Sequence, residues 1–354
     1  KYADTWGEQN GYEVEVIHQS PSVQQFAQAV KSAEGPDAVV GIPNDQLADY
    51  VNAGLTAEVP AELYNDADFS EAAVQACYVD GKRYAAPLSV ETTALFYNTD
   101  MVEKVPATWE ELVEQAVENG GVQFDATSIY YDLGFVRACG GYIFNYQNGA
   151  YDTSDIGLAN DGAVQAYHFL DDLCNRYGLI TADVTADIAR SNFQNGKCAY
   201  YIGGPWDIDG FTSAETPFGI TEMPTFHGQA FVTPVGTQVS FVGKDSDKQE
   251  PAWSFIKYLI ENGAKDLYEA GDRIPARLSD QELEEIRENA YAKAFIVQIN
   301  QGEPMPTVSE MGQLWSIHVN NIRSMWSGEQ TPEEAAKNMV AQLEEAVELM
   351  NSGK

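Results

Sequence analysis

Basic residues are scarce in this chain: 20 lysines and arginines stand against 54 aspartates and glutamates, a formal net charge of −34. Such a surface repels phosphate backbones and anionic lipid headgroups, which argues against nucleic acid and a bare membrane surface as partners. The charge itself reads as a solubility feature, with adaptation to salt as the alternative. No apolar run approaches the ~20 residues that cross a bilayer. The opening KYADTWGEQNGYEVEV has no apolar secretory core, so any signal segment is expected to have been removed. The four cysteines, Cys77, Cys139, Cys174 and Cys198, are far apart and form no CxxC. They are too sparse for a disulfide scaffold, and each reads as a small buried hydrophobe. His18, His168, His227 and His318 are equally scattered, so no Cys/His spacing suggests a metal.

Catalytic signatures are missing as well. GxSxG, HExxH, the phosphate-binding GxxxxGK loop and a placed GxGxxG are all absent, so no nucleophile elbow, zinc helix, phosphate cradle or cofactor is expected. Among 54 acids, spacing alone singles out no carboxylate pair for glycoside hydrolysis. A secreted carbohydrate-active enzyme therefore stands only as an alternative.

What is present reads as α/β. A chain of 354 residues exceeds the size at which one core stops growing, so two domains are expected. KYADTWGEQNG reads as a helix ending at Gly11, YEVEVIH as a strand, and SVQQFAQAVKSAEG as a helix stopping at Gly35. PDAVVGI is a short buried strand, and NDQLADYVNAGL a helix with Asn44 and Asp45 as candidate caps. This alternation predicts helices against a largely parallel sheet. RYAAPLSVETTALFYNTD reads as one longer strand. Thr108 and Glu111 have capping-box spacing, and DGAVQAYHFLDDLCNRYG is a helix closed by Gly178. EPAWSFIKYLIENG ends at Gly263, and Thr331 caps the final helix. Trp109 and Trp253 lie on amphipathic helices and read as packing, and Trp326 as a helix end. With no flexible linker, the two domains are expected to be discontinuous.

One stretch raises a specific question. GGPWDIDG follows the apolar CAYYIG and places Trp206 directly after a glycine pair and a proline. An indole there either fills core or is held out for a ligand to stack on.

Several segments together carry a resemblance: EGPDAVV, DYVNAGLTAEV, GKRYAAPLSVETTALFYNTDMV, PATWEEL, GGYIFNYQNGAYDTSDIGL, FQNGKCAYYIGGPWDI, MPTFHGQ and GEPMPTVSEMGQLWS. In this order they resemble the extracellular solute-binding proteins of ABC sugar importers, in particular the maltose/maltodextrin-binding members, from about residue 1 to residue 350. GGPW together with GEPMP…W is the specific part.

The resemblance implies a two-lobed periplasmic-binding-protein-like fold of type II, with ligand held between discontinuous α/β lobes joined by a hinge. Hinge segments fall near Ser89–Glu91 and Pro234–Ser240. The first lobe is then 1–89 with 240–286, and the second 90–239 with 287–354, which puts Cys77 in the first and the other cysteines in the second. The resemblance assigns stacking surfaces to Trp206, Trp315 and Tyr130, with Met305 beside them. Asp45 and Glu91 match hydroxyl-binding acids, and Asn44, Gln46 and Tyr131 are weaker candidates. Rings suit sugar C–H faces and carboxylates suit hydroxyls.

The chain also departs from the family. Its first-lobe stacking tryptophan falls at Ile42–Pro43, the arginine after its acid at Gln46, and an acid before the matched tyrosine at Ser128. The match begins inside the family's first helix, so the upstream strand and ligand loop have no counterpart. Either the chain is incomplete or another segment fills that slot. The implied function is capture of malto-oligosaccharides, or of a different oligosaccharide, and delivery to permease subunits of an ABC importer. The protein would be a monomer, periplasmic or lipid-anchored at the outer face of the cell membrane.

Overall fold

Local signals for helix ends translate directly into caps. The computed structural model describes residues 1–18, 22–31, 35–147 and 150–352. Helix Tyr2–Asn10 stops at Gly11, which adopts φ 76° and donates its N–H to Gly7 O, a left-handed turn that costs glycine nothing. The last helix, Pro332–Ser352, starts with a reciprocal box. Thr331 Oγ1 accepts from Glu334 N at 3.2 Å, and Glu334 Oε2 accepts from Thr331 N at 2.9 Å. At helix Trp109–Glu118 only half of the expected box forms. Thr108 Oγ1 accepts from Glu111 N, but the Glu111 carboxylate turns to Ala107 N.

The chain divides into two units. The first comprises Lys1–Val90, Gly236–Glu288 and Thr307–Ser309; the second comprises Glu91–Val235, Asn289–Pro306 and Glu310–Lys354. In the first, strand Ala38–Pro43 pairs antiparallel with strand Pro234–Val242, and the sheet continues through Ala86–Glu91 to Ile274–Pro275. A bulge between Val39 and Ile42 is relieved at Gly41, φ 75°. Phe26, Tyr50 and Phe241 interlock at centroid distances of 4.9–5.7 Å to form the centre of its core.

The YEVEVIH strand does not form. Tyr12–His18 is irregular, with Val16 and Ile17 each 57% exposed. The alternation is right for a strand, but a strand also needs a neighbour for its N–H and C=O groups. Strand Ala38–Pro43 ends its sheet, and no segment among the described residues pairs with its outer side. The second helix is also shorter than expected, Val23–Ala29, and part of its expected tail lies outside the described residues.

The second unit is built on a four-stranded sheet in the order Phe218–Thr221, Ala94–Asn98, Tyr200–Gly203, Val122–Gln123. Its first two junctions are antiparallel and only the last is parallel, which corrects the expectation of a largely parallel sheet. Strand Ala94–Asn98 enters the unit directly from Ala86–Glu91 without a crossover helix, so the strands built later run against it. The expected single long strand is accordingly broken at Thr92–Thr93. There Thr92 Oγ1 bonds Thr233 Oγ1 and Pro234 O at 2.7 Å.

Trp109, fully buried, gathers Phe124, Phe135, Phe169 and Phe231. Trp253 is also buried, and Trp326 ends helix Met311–Trp326 with its Nε1–H donated to Leu170 O. All four cysteines are free thiols. Cys77 and Cys198 are buried, and burial pushes the Cys198 thiol up to about 12. Cys139, at the end of helix Ile129–Ala138, and Cys174, within the turn Asp172–Arg176, are only half-buried.

Candidate functional site

The glycine pair before Trp206 is explained by what lies on it. Strand Tyr200–Gly203 ends in a single turn, Pro205–Asp207, which leads into helix Ile208–Ser213. A Cβ on Gly204 would lie 2.2 Å from Trp206 Cη2, so the indole folds back over the Gly204 backbone. A Cβ on Gly203 would lie 2.2 Å from Tyr201 Cε1 and 2.5 Å from Asp207 Oδ2. Neither position has room for a side chain. Trp206 itself is half-buried, so part of the indole remains open to solvent.

Beside it stands Tyr130, with ring centroids 6.3 Å apart and planes inclined by 49°. Tyr130 opens helix Ile129–Ala138, where Ser128 Oγ caps its N–H at 3.4 Å. The acid of the resembling family at position 128 is thus replaced by a cap. Tyr131 packs edge-on to Tyr130 at 5.7 Å, and burial raises its phenol pKa. The structure therefore brings Tyr130, Tyr131 and Trp206 together in the second unit.

Two further candidates reach this unit on other elements. Met305 is buried, directly after strand Glu303–Pro304, and donates its N–H to Val235 O at 3.2 Å. Trp315 is half-buried on helix Met311–Trp326. One turn further along that helix, His318 Nε2 meets Asp132 Oδ2 at 2.9 Å, with both side chains fully buried. Burial pushes the imidazole down to about 3 and raises the carboxyl well above its ordinary value. This pair, invisible in the sequence, ties the helix of Tyr130 to the helix of Trp315. Glu91 is half-buried at the end of strand Ala86–Glu91.

The first-unit candidates share one short turn, Asn44–Gln46. Asp45 is half-buried and Gln46 exposed. Neither Asn44 nor Asp45 acts as a helix cap: the turn starts from Pro43, and helix Leu47–Asn52 follows without a side-chain cap. Asn44 is buried instead, its Nδ2 donating to Thr307 Oγ1 and its Oδ1 accepting from Thr237 N, both at 3.0 Å. It holds the turn in place rather than presenting its amide. A groove of about 780 Å³ in the same unit is lined by Tyr64, Tyr78, Arg83 and Arg277 among others, and by none of the candidates. Its Arg83 and Arg277 are already paired, with Asp66 and Asp280.

The sequence does not single out Asp207, which accepts from Arg190 Nε and Tyr201 Oη. The aspartate stood in the quoted motif directly after the tryptophan. Its partners on neighbouring elements gave no signal.

Known proteins share this fold. A family model described as bacterial extracellular solute-binding protein matches residues 1–294. The galactooligosaccharide-binding protein of Bacillus subtilis (strain 168) is 30% identical over 334 residues, covering 90% of this chain and 79% of that protein. A maltooligosaccharide ABC transporter solute-binding lipoprotein of Streptococcus pneumoniae (strain ATCC BAA-255 / R6) is 26% identical over 334 residues, covering 90% and 78%. Among solved structures, the maltose-maltodextrin binding protein of Alicyclobacillus acidocaldarius superposes with a TM-score of 0.88 at 31% identity, covering 97% of this chain and 94% of that one. A cyclo/maltodextrin-binding protein complexed with maltotetraose gives 0.91 at 27%, covering 98% and 92%. The fold is the two-lobed type II periplasmic binding fold that the sequence led us to expect.

Proposed function

The chain belongs to the bacterial extracellular solute-binding proteins, and from that premise we propose that it captures a malto-oligosaccharide outside the cell and hands it to the permease of an ABC importer. It acts by binding alone, without catalysis. The two units serve as the lobes that close on the ligand. Trp206, Tyr130 and Trp315 offer apolar faces to the sugar rings, and Asp45 and Glu91 accept from hydroxyls. The observation that carries this reading is the half-open indole of Trp206, seated on Gly204 and flanked by Tyr130. A core tryptophan such as Trp109 is enclosed on every side; Trp206 is held by a turn that keeps part of its surface clear.

A second ligand class is favoured by one finding, the 30% identity to a protein named for galacto-oligosaccharides. Calorimetric titration with maltotriose, maltotetraose and galactotriose decides between them. Tightest binding of a malto-oligosaccharide is the expected result. Tightest binding of galactotriose moves the ligand class, and hydrolysis of any of the three during the titration overturns the transport reading.

A further inference from the structure

The carboxylate of Asp207, the residue directly after Trp206, is wholly buried. It has a full set of donors. Arg190 Nε donates to Oδ1 at 2.6 Å, Tyr201 Oη to Oδ2 at 2.9 Å, and the Gly204 N–H to Oδ2 at 3.3 Å. The last bond joins the end of the turn to its start, with Trp206 between them. Gly204 is also the floor on which the indole rests. One carboxylate therefore fixes both the backbone that carries the indole and the backbone that supports it.

Arg190 completes the arrangement from helix Ala186–Gln194. Its side chain is 35% exposed, and its Nη1 is steadied by Asp187 at 3.0 Å. It supplies the positive charge without which a carboxylate in this position is strongly disfavoured. Only two neutral donors would remain if it were removed.

We propose that Arg190 and Asp207 are positioning residues for sugar binding: they touch no sugar, and they set the pose of the Trp206 ring through the Gly204–Asp207 turn. This rests on Trp206 being a sugar-stacking residue, as in the function proposed above. A side chain locked by a charged network binds with less ordering cost than one that must be immobilised by the ligand.

The test is a double-mutant cycle on the full chain, with affinity for maltotriose read by calorimetry, or for galactotriose if that sugar binds more tightly. Arg190→Gln should weaken binding by about tenfold, within the coupling range of residues in one network. Trp206→Ala should weaken it at least as much. In the Trp206→Ala background, Arg190→Gln should cost nothing further, because its effect runs through the ring. Arg190→Lys, which keeps a cation but loses the Nε–H, should retain part of the affinity. It carries the same cycle if the glutamine variant does not fold.

An unchanged affinity for Arg190→Gln, or an equal loss with and without Trp206, overturns the positioning role and leaves the sugar site standing. Unchanged affinity for Trp206→Ala overturns both.

Discussion

Two aspartates of the second unit are removed from water to the same degree and live in opposite electrostatic worlds. Asp207 is 1% exposed and Asp132 0%. Asp207 meets an arginine, a phenol and a backbone N–H. Asp132 meets one imidazole, while its Oδ1 and the Nδ1 of His318 find no partner among the described residues. Burial penalises charge in both places. In the first, a cation and two further donors are brought to the carboxylate, as a buried charge requires. In the second, burial raises the carboxyl and lowers the imidazole, so the pair settles as a neutral hydrogen bond. The charged solution sits where one turn must be held in a single pose. The neutral one sits where two helices, Ile129–Ala138 and Met311–Trp326, need to be joined inside a core.

Removing the partner of each carboxylate tests this contrast most severely. His318→Ala leaves Asp132 alone in the core and opens a cavity where the ring was. The expected loss of stability is about 3–5 kcal/mol, from the cavity and the unpaired carboxyl together, read by urea unfolding. Sugar affinity per folded molecule should fall less than for Arg190→Gln, because the pair joins the helices of Tyr130 and Trp315 inside the core and closes no turn under a ring. If affinity falls as far as for Arg190→Gln, the neutral pair serves the site equally and the contrast fails.

Arg190→Gln should show the reverse balance. Its guanidinium is about a third exposed, so water can take up part of its role beside Asp207. A stability loss of about 1.5–3 kcal/mol is expected, the scale of one hydrogen bond to a charged group. A loss as large as that of His318→Ala would mean that the Asp207 network holds up the fold, and not merely one turn.

The contrast also marks what a single sequence discloses. Local chemistry was readable: the helix stop at Gly11 and the Thr331 cap of the last helix. The fold class was readable too, because motif order survives at the 27–31% identity seen with solved structures. The failures share a cause: each depended on a partner far along the chain. Tyr12–His18 has strand alternation but no strand beside it. Asn44 looked like a cap, yet its amide turns to Thr237 and Thr307. Sheet direction depended on strand Ala94–Asn98 entering without a crossover. The Asp132–His318 bond spans 186 positions, and no local pattern announces a histidine on a buried helix face. The resemblance groups Tyr130 with Trp206 as stacking surfaces, but the 6.3 Å approach of their rings is visible only in the folded chain.

The pH dependence of stability is the finest probe of the neutral pair, and its sign follows from the two shifts. His318 is lowered to about 3 from an ordinary 6.5. The unfolded chain therefore takes up a proton that the folded chain refuses, and stability falls as pH drops below 6.5. Asp132 is raised from an ordinary 3.8. The folded chain holds a proton that the unfolded chain releases, so stability falls as pH rises above 3.8. Between about 4 and 6.5 the two slopes cancel, because folded and unfolded states each carry one proton on this pair, placed differently. Below about 4 only the histidine slope remains, and above about 6.5 only the aspartate slope. Each outer slope is about 1.4 kcal/mol per pH unit at most. The double variant Asp132→Asn, His318→Gln removes both slopes. Subtracting its urea-unfolding profile from that of the natural chain should therefore leave a plateau from about pH 4 to 6.5 that falls away on both sides. A difference that instead climbs steadily from pH 4 to 7 would show that Asp132 is ionised in the folded protein, and the two buried carboxylates would then share one solution after all.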